Sequence, residues 1–139
     1  MADKYTGALV WLLHMGDKGL RTNLLPLKYS LFGIQSKHIP DLIRMALDEE
    51  LVQDADKPQA YAGIHAWRAL GELQAAEAVE PLIGLLKYAD EPYHSDWILE
   101  DLPRTLGKIG PTAIPVLWSY GNNPSLWGFF RQSALTLLA

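Results

Sequence analysis

The feature that most restricts how this chain can fold is a residue pattern that recurs along it. Arg68-Ala69-Leu70-Gly71-Glu72-Leu73 and Arg104-Thr105-Leu106-Gly107-Lys108-Ile109 share Arg, Leu, Gly and a final aliphatic residue at an offset of 36. Ala78-Val79-Glu80-Pro81-Leu82 matches Ala113-Ile114-Pro115-Val116-Leu117 at an offset of 35, and Ile39-Pro40-Asp41-Leu42 aligns 40 residues before Val79. A period in this range, carried by helical spacing, marks a repeated pair of helices. Each helix has one apolar face and cannot bury it alone, so similar pairs must lie beside one another to complete a core. The expected architecture is all-α, an α-solenoid (α-α superhelix) of about three to four helical hairpins forming one domain over residues 1–139. Leu70, Leu82, Leu106 and Leu117 should then all be buried.

The clearest hairpin is Tyr61 to Tyr88. Ile64, Trp67, Leu70 and Leu73 fall at helical spacing, Gln74 to Glu77 interrupts them, and Val79, Leu82, Ile83 and Leu86 resume the pattern. Before it, a short helix is expected around Tyr5 to Leu13, ended by the turn Gly16-Asp17-Lys18-Gly19. Pro26 would start a second helix whose last turns span Lys28 to Ile34, with Tyr29, Leu31 and Phe32 buried and Gly33 near its end. Ser36 is the expected cap of a third, with Pro40 in its first turn and its end near Leu51. Its apolar side would be Leu42, Ile43, Met45, Ala46 and Leu47. Gln53 to Gln59 and Ala89 to Ser95 read as loops.

Ser95 or Asp96 should cap a helix running to Ile109. Pro103 lies inside it, removing a hydrogen bond and bending the helix near Leu99 to Pro103. Gly110-Pro111 ends it, Ala113 to Tyr120 forms the next helix, and Gly121-Asn122-Asn123-Pro124 is a turn. Ser125 to Ala139 reads as helix with no stop signal. That leads us to expect a longer protein of which this is the N-terminal part, Arg131 to Leu135 opening a further unit.

Composition excludes several functions. A net charge of −4 provides no basic field for phosphate backbones, so nucleic acid is not an expected partner. The chain has no cysteine, hence no disulfide framework and no thiolate chemistry, which fits a reducing, cytoplasmic setting. The apolar run Ala8 to Met15 is too short to span a bilayer and lacks the flanks of a signal peptide, so no membrane is implicated.

The string AWRALGELQAAEAVEPLIGLL, through Arg68, Leu70, Gly71, Glu77, Ala78, Pro81, Leu82, Leu85 and Leu86, resembles the HEAT-like repeat of phycobilisome (bilin) lyases. The likeness is close over that repeat, partial over Leu102 to Tyr120 and weak before Ile39. It implies HEAT-like, armadillo-like hairpins and a role in holding a partner. Such repeats occur in lyases, regulatory adaptors and many other proteins, so the resemblance implies a fold more than an activity.

No residue set points to catalysis. Asp90, Glu91, His94 and Asp96 bring three carboxylates and an imidazole into one loop, but without regular ligand spacing they read as a solvated acidic loop and no metal is expected. His65 lies beside an apolar stripe with no Ser or Cys nucleophile to serve, so it reads as a hydrogen-bonded, half-buried residue. Asp48-Glu49-Glu50 point in different directions around a helix and keep a surface wet. Trp97 and Trp118 are expected in the core, whereas Tyr88, Tyr93 and Trp127 are aromatics suited to a contact surface.

In repeats of this type the second helices line the concave side, so Arg44, Gly84, Lys87 and Ser119 should face a groove, with Gly84 leaving room. The expected function is a non-catalytic scaffold that presents this groove to a protein or peptide, with no cofactor. Two alternatives stay open: a bilin-lyase-like protein that cradles a chromophore, and the helical regulatory part of a longer protein whose chemistry lies elsewhere. A HEAT-like DNA glycosylase is disfavoured by the acidic balance.

Overall fold

The structure is a computed structural model that describes residues 5–17, 20, 28–53, 56–88 and 97–122, with the backbone alone at 87, 88, 99, 120 and 121. Among them every regular element is helical and no strand occurs. The α-helices are α1 (Leu9–His14), α2 (Ile39–Ala46), α3 (Ala62–Glu72), α4 (Val79–Ile83), α5 (Leu102–Ile109) and α6 (Ala113–Gly121). Short 3₁₀ turns join or extend them, among them Tyr29–Phe32, Pro58–Tyr61, Ala76–Ala78 and Gly84–Tyr88.

The two helical runs read between Tyr61 and Tyr88 are present as α3 and α4, with Ile64, Trp67, Leu70, Val79, Leu82, Ile83 and Leu86 buried. Gln74 closes α3 in the left-handed conformation, φ 54°. The Ala75 amide bonds the Leu70 carbonyl and the Gln74 amide bonds that of Gly71, both at 3.1 Å, which satisfies carbonyls the helix leaves over. α3 lies against both α2 and α5, and α4 against α2 and α6.

Two glycines set how close α3 comes to its neighbours. A Cβ on Gly71 would lie 3.3 Å from Thr105 Cγ2 and 3.4 Å from the Thr105 Cα, and one on Gly63 would lie 3.5 Å from the Met45 and Ala46 carbonyls. At Gly71 a methyl would need Thr105 to give by a few tenths of an ångström, whereas at Gly63 it would make ordinary van der Waals contact with α2. The four leucines expected at equivalent positions are all buried, Leu70 and Leu82 at 0 % and Leu106 and Leu117 at 3 % exposure.

Several local expectations need correction. The helix of Lys28 to Ile34 is a single 3₁₀ turn, Tyr29–Phe32, closed by Gly33 at φ 86°. Of Tyr29, Leu31 and Phe32, only Tyr29 is fully buried, and Leu31 is 81 % exposed, because a 3₁₀ turn, with three residues per turn, points neighbouring side chains to different sides. α2 stops at Ala46 and not near Leu51: Asp48 is extended and its carboxylate accepts the Glu50 amide, starting a separate turn, Glu49–Val52. That rotation leaves Leu47 exposed. At its start, Ser36 opens a 3₁₀ turn, and the Gln35 amide donates to His38 Nδ1 at 2.8 Å.

Pro103 does not bend a continuous α-helix. Trp97–Asp101 forms a π-helical turn, and α5 begins at Leu102 with Pro103 in its first turn, where its missing N–H costs nothing. The expected starts at Pro26 and Ser95, the loop Ala89 to Ser95 and the helix Ser125 to Ala139 lie outside the described residues. No helix among the described residues is long and apolar enough to cross a membrane.

Candidate functional site

α3 carries a polar stripe on an otherwise apolar helix. His65, Arg68 and Glu72 recur at the three- and four-residue steps that align side chains on one face. Each reaches a distant segment. The Glu72 carboxylate accepts the Tyr29 and Ser30 backbone amides, at 2.8 and 2.9 Å, so it supplies acceptors at the open start of that 3₁₀ turn. Arg68 Nη2 donates to the Leu20 carbonyl at 3.0 Å.

Asp101, in the π-helical turn, is the other pole of the cluster and is 5 % exposed. It accepts from Trp67 Nε1 at 2.7 Å, from Arg68 Nε at 3.1 Å and from Arg68 Nη2 at 2.5 Å. Two neighbouring residues of α3 thus converge on one carboxylate, the arginine through two nitrogens. Burial would lower the Arg68 guanidinium, but the bonds to Asp101 and its charge outweigh burial and hold the group protonated above its usual value.

His65 is fully buried. Its Nε2 lies 2.7 Å from the Gly16 carbonyl oxygen, which can only accept, so Nε2 carries the proton. Nδ1 is then an acceptor, and the Tyr29 hydroxyl, 2.8 Å away, donates to it. The Tyr29 and His65 rings meet edge to face at 5.8 Å between centroids. Burial lowers the His65 pKa and the Arg68 charge adds to the fall, while the bond to Gly16 opposes it. Burial pushes the Tyr29 hydroxyl above its ordinary value, against the nearby Arg68 charge, so it remains a donor.

This is a buried cluster of ionisable groups whose bonds are made within the chain. Among the described residues no buried side-chain nitrogen or oxygen lacks a partner, and the His65 nitrogens are both committed to the chain itself. No group of His, Asp and Glu among the described residues could hold a metal ion, and the loop of Asp90, Glu91, His94 and Asp96 lies outside them. The cluster joins the N-terminal segment, α3 and α5.

Of the residues expected to face a groove, Arg44 and Ser119 are exposed and Gly84 is half-buried. Arg44 is exposed on α2, 3.2 Å from Asp41 Oδ1, with its guanidinium 4.9 Å from the centroid of the Tyr5 ring. Tyr5 itself is buried, and its hydroxyl donates to Asp48 Oδ2 at 2.6 Å. Gly84 is half-buried with no described atom within 4 Å of where its Cβ would stand. Ser119 is exposed on α6, and Lys87 and Tyr88 have backbone in the Gly84–Tyr88 turn. Tyr93 and Trp127 lie outside the described residues. The packing of α4 on α2 and α6 brings the helices of Arg44, Gly84 and Ser119 side by side.

Sequence reasoning missed two surface residues. Trp118, expected in the core, is 62 % exposed, and Ile114, one turn before it on the same face of α6, is 56 % exposed. Trp97, by contrast, is half-buried against the core and edge-on to Tyr61. The signal for α6 was available: Ile114, Val116, Leu117, Trp118 and Tyr120 give it apolar residues all round, and a helix buried on one side must then expose some of them. Asp101 was also missed, since nothing local distinguishes an acid inside a helix from a solvated one; its partners Trp67 and Arg68 lie 34 and 33 residues away. No protein-family model, curated protein or solved structure matches the chain.

Proposed function

We propose that this chain is a non-catalytic helical-repeat scaffold of the α-solenoid, HEAT-like type, which holds a protein or peptide along its second helices. Support comes from the pairing of contacts. α3 and α5, the first helices of the two best-matched units, pack on each other, and α4 packs on α2 and α6, the second helices. Those are the pairs that the offsets of 35, 36 and 40 relate. Among the described residues every buried side-chain nitrogen and oxygen has a partner, which favours a scaffold over an enzyme.

The observation that carries the reading is Trp118. An indole mostly in water beside an exposed isoleucine, on the outermost described second helix, is the kind of anchor that interfaces bury. Ser119 adjoins it, and the repeat offsets relate it to Arg44 on α2 and to Gly84 at the end of α4. The partner is a protein or peptide, met by an apolar anchor and flanking polar groups. The absence of cysteine supports placing this activity in the cytoplasm.

The test is affinity capture with the wild-type chain and with Trp118→Ser combined with Ile114→Ser. Both positions are exposed, so the double variant should fold with unchanged helical circular dichroism. Wild type should retain a partner that the double variant loses, and Arg44→Ala or Lys87→Ala in the otherwise wild-type chain should weaken its retention. An unchanged partner set, or none retained above a control surface, overturns it.

A further inference from the structure

The N-terminal segment is tied to α3 through one imidazole. His65 receives the Tyr29 hydroxyl on Nδ1 and donates Nε2–H to the Gly16 carbonyl, so residues on either side of the segment between them converge on a single side chain with 0 % exposure. Those two bonds require the neutral tautomer. A second proton would convert Nδ1 from acceptor to donor and put a positive charge where no carboxylate bonds the ring.

We propose that His65 is a pH-sensitive latch, whose protonation in a mildly acidic setting loosens the N-terminal segment, α1 and the Tyr29–Phe32 turn, from α3. The groups around it decide the sign. From its own helix comes the Arg68 cation, from the π-helical turn the Asp101 carboxylate, from the 3₁₀ turn the neutral Tyr29 hydroxyl, and from the turn after α1 an uncharged carbonyl. Asp101 is already bonded to Arg68 and Trp67, and its charge only partly offsets the burial and the Arg68 cation that disfavour a protonated ring. α2 presents the Met45 and Ala46 backbone to α3 at Gly63 and adds no charge at that contact. Glu72 is held by the Tyr29 and Ser30 amides, and that clamp opens with the turn.

A ring held neutral in the closed state, and free to protonate once released, favours the closed state above the ordinary histidine value. That preference fades as pH falls below it. Between about pH 7.5 and about pH 5.5 the closing equilibrium weakens by up to about tenfold, set by a released-state value near 6.5. Release would uncover Leu9, Leu12 and Leu13 together with the α3 surface beneath them.

Amide hydrogen exchange, corrected for intrinsic rates, reads the latch over Leu9–His14 and Tyr29–Phe32 at the two pH values. In the wild-type chain protection there should fall by up to about tenfold while α5 changes less. His65→Gln, whose amide can donate to Gly16 and accept from Tyr29 without titrating, should show no such fall. Equal falls in both proteins, or none in the wild type, overturn the proposal. Should the variant not fold, the His65 ring resonance in the wild type decides. Titration at about 6.5 with α1 protection intact refutes the latch, and protonation that coincides with loss of that protection supports it.

Discussion

Replacing Asp101 by alanine tests whether the buried carboxylate is what clamps α5 to α3. Asp101 and Arg68 side chains are 7 % and 20 % exposed, and the carboxylate receives three donor nitrogens, Trp67 Nε1, Arg68 Nε and Arg68 Nη2. In the variant the Trp67 N–H, on a residue 5 % exposed, has no acceptor, at a cost of about 1–3 kcal/mol. Arg68 keeps the Leu20 carbonyl and part of its hydration, so its loss falls below that of a wholly buried cation, for which breaking a pair costs about 3–5 kcal/mol. Together these give about 3–4 kcal/mol, a large share of the roughly 5–15 kcal/mol that holds a domain folded. Urea unfolding followed by circular dichroism, with the m-value unchanged, measures it directly.

A double-mutant cycle sharpens the test. With Arg68→Met and Asp101→Leu combined, both charges are gone and apolar side chains fill the space, so the pair should be less destabilised than the sum of the single variants by about 2 kcal/mol. Asp101→Asn should fall between alanine and wild type, since its amide oxygen still serves Trp67. A stability within about 0.5 kcal/mol of wild type for Asp101→Ala, or an additive cycle, would refute the clamp.

Gly71→Ala should destabilise by roughly 1–3 kcal/mol, because its methyl meets Thr105 on two sides; thermal unfolding reads the loss. Gly107→Ala, at the matching position of α5 with no described atom in reach, should instead stabilise by about 0.5–1 kcal/mol through helix propensity in the same assay. Gln74→Gly should raise stability by about 1 kcal/mol by relieving the left-handed φ of 54°, less the weak bond from Gln74 Nε2 to the Lys108 carbonyl; a lower melting temperature would count against strain there. Glu72→Ala should speed amide exchange at Tyr29 and Ser30 several-fold and leave α6 unchanged, since the carboxylate is the acceptor for both amides.

What the sequence determined on its own was helical identity and the interior. Apolar residues at helical spacing, and prolines and glycines at element ends, depend only on local geometry, and the leucines related by the repeat offsets are all buried. Tertiary structure decided where helices stop and what their polar residues do. The left-handed Gln74, the π-helical turn before Pro103 and the early end of α2 arise from packing and capping partners that no local window contains. The clamp on Asp101 joins residues 33 and 34 positions apart, and the His65 bonds span 36 and 49, so no short motif could announce them. Trp118 makes the same point on the surface: hydrophobicity says only that a side chain gains by leaving water, and whether another helix lies there to receive it is a property of the assembled fold.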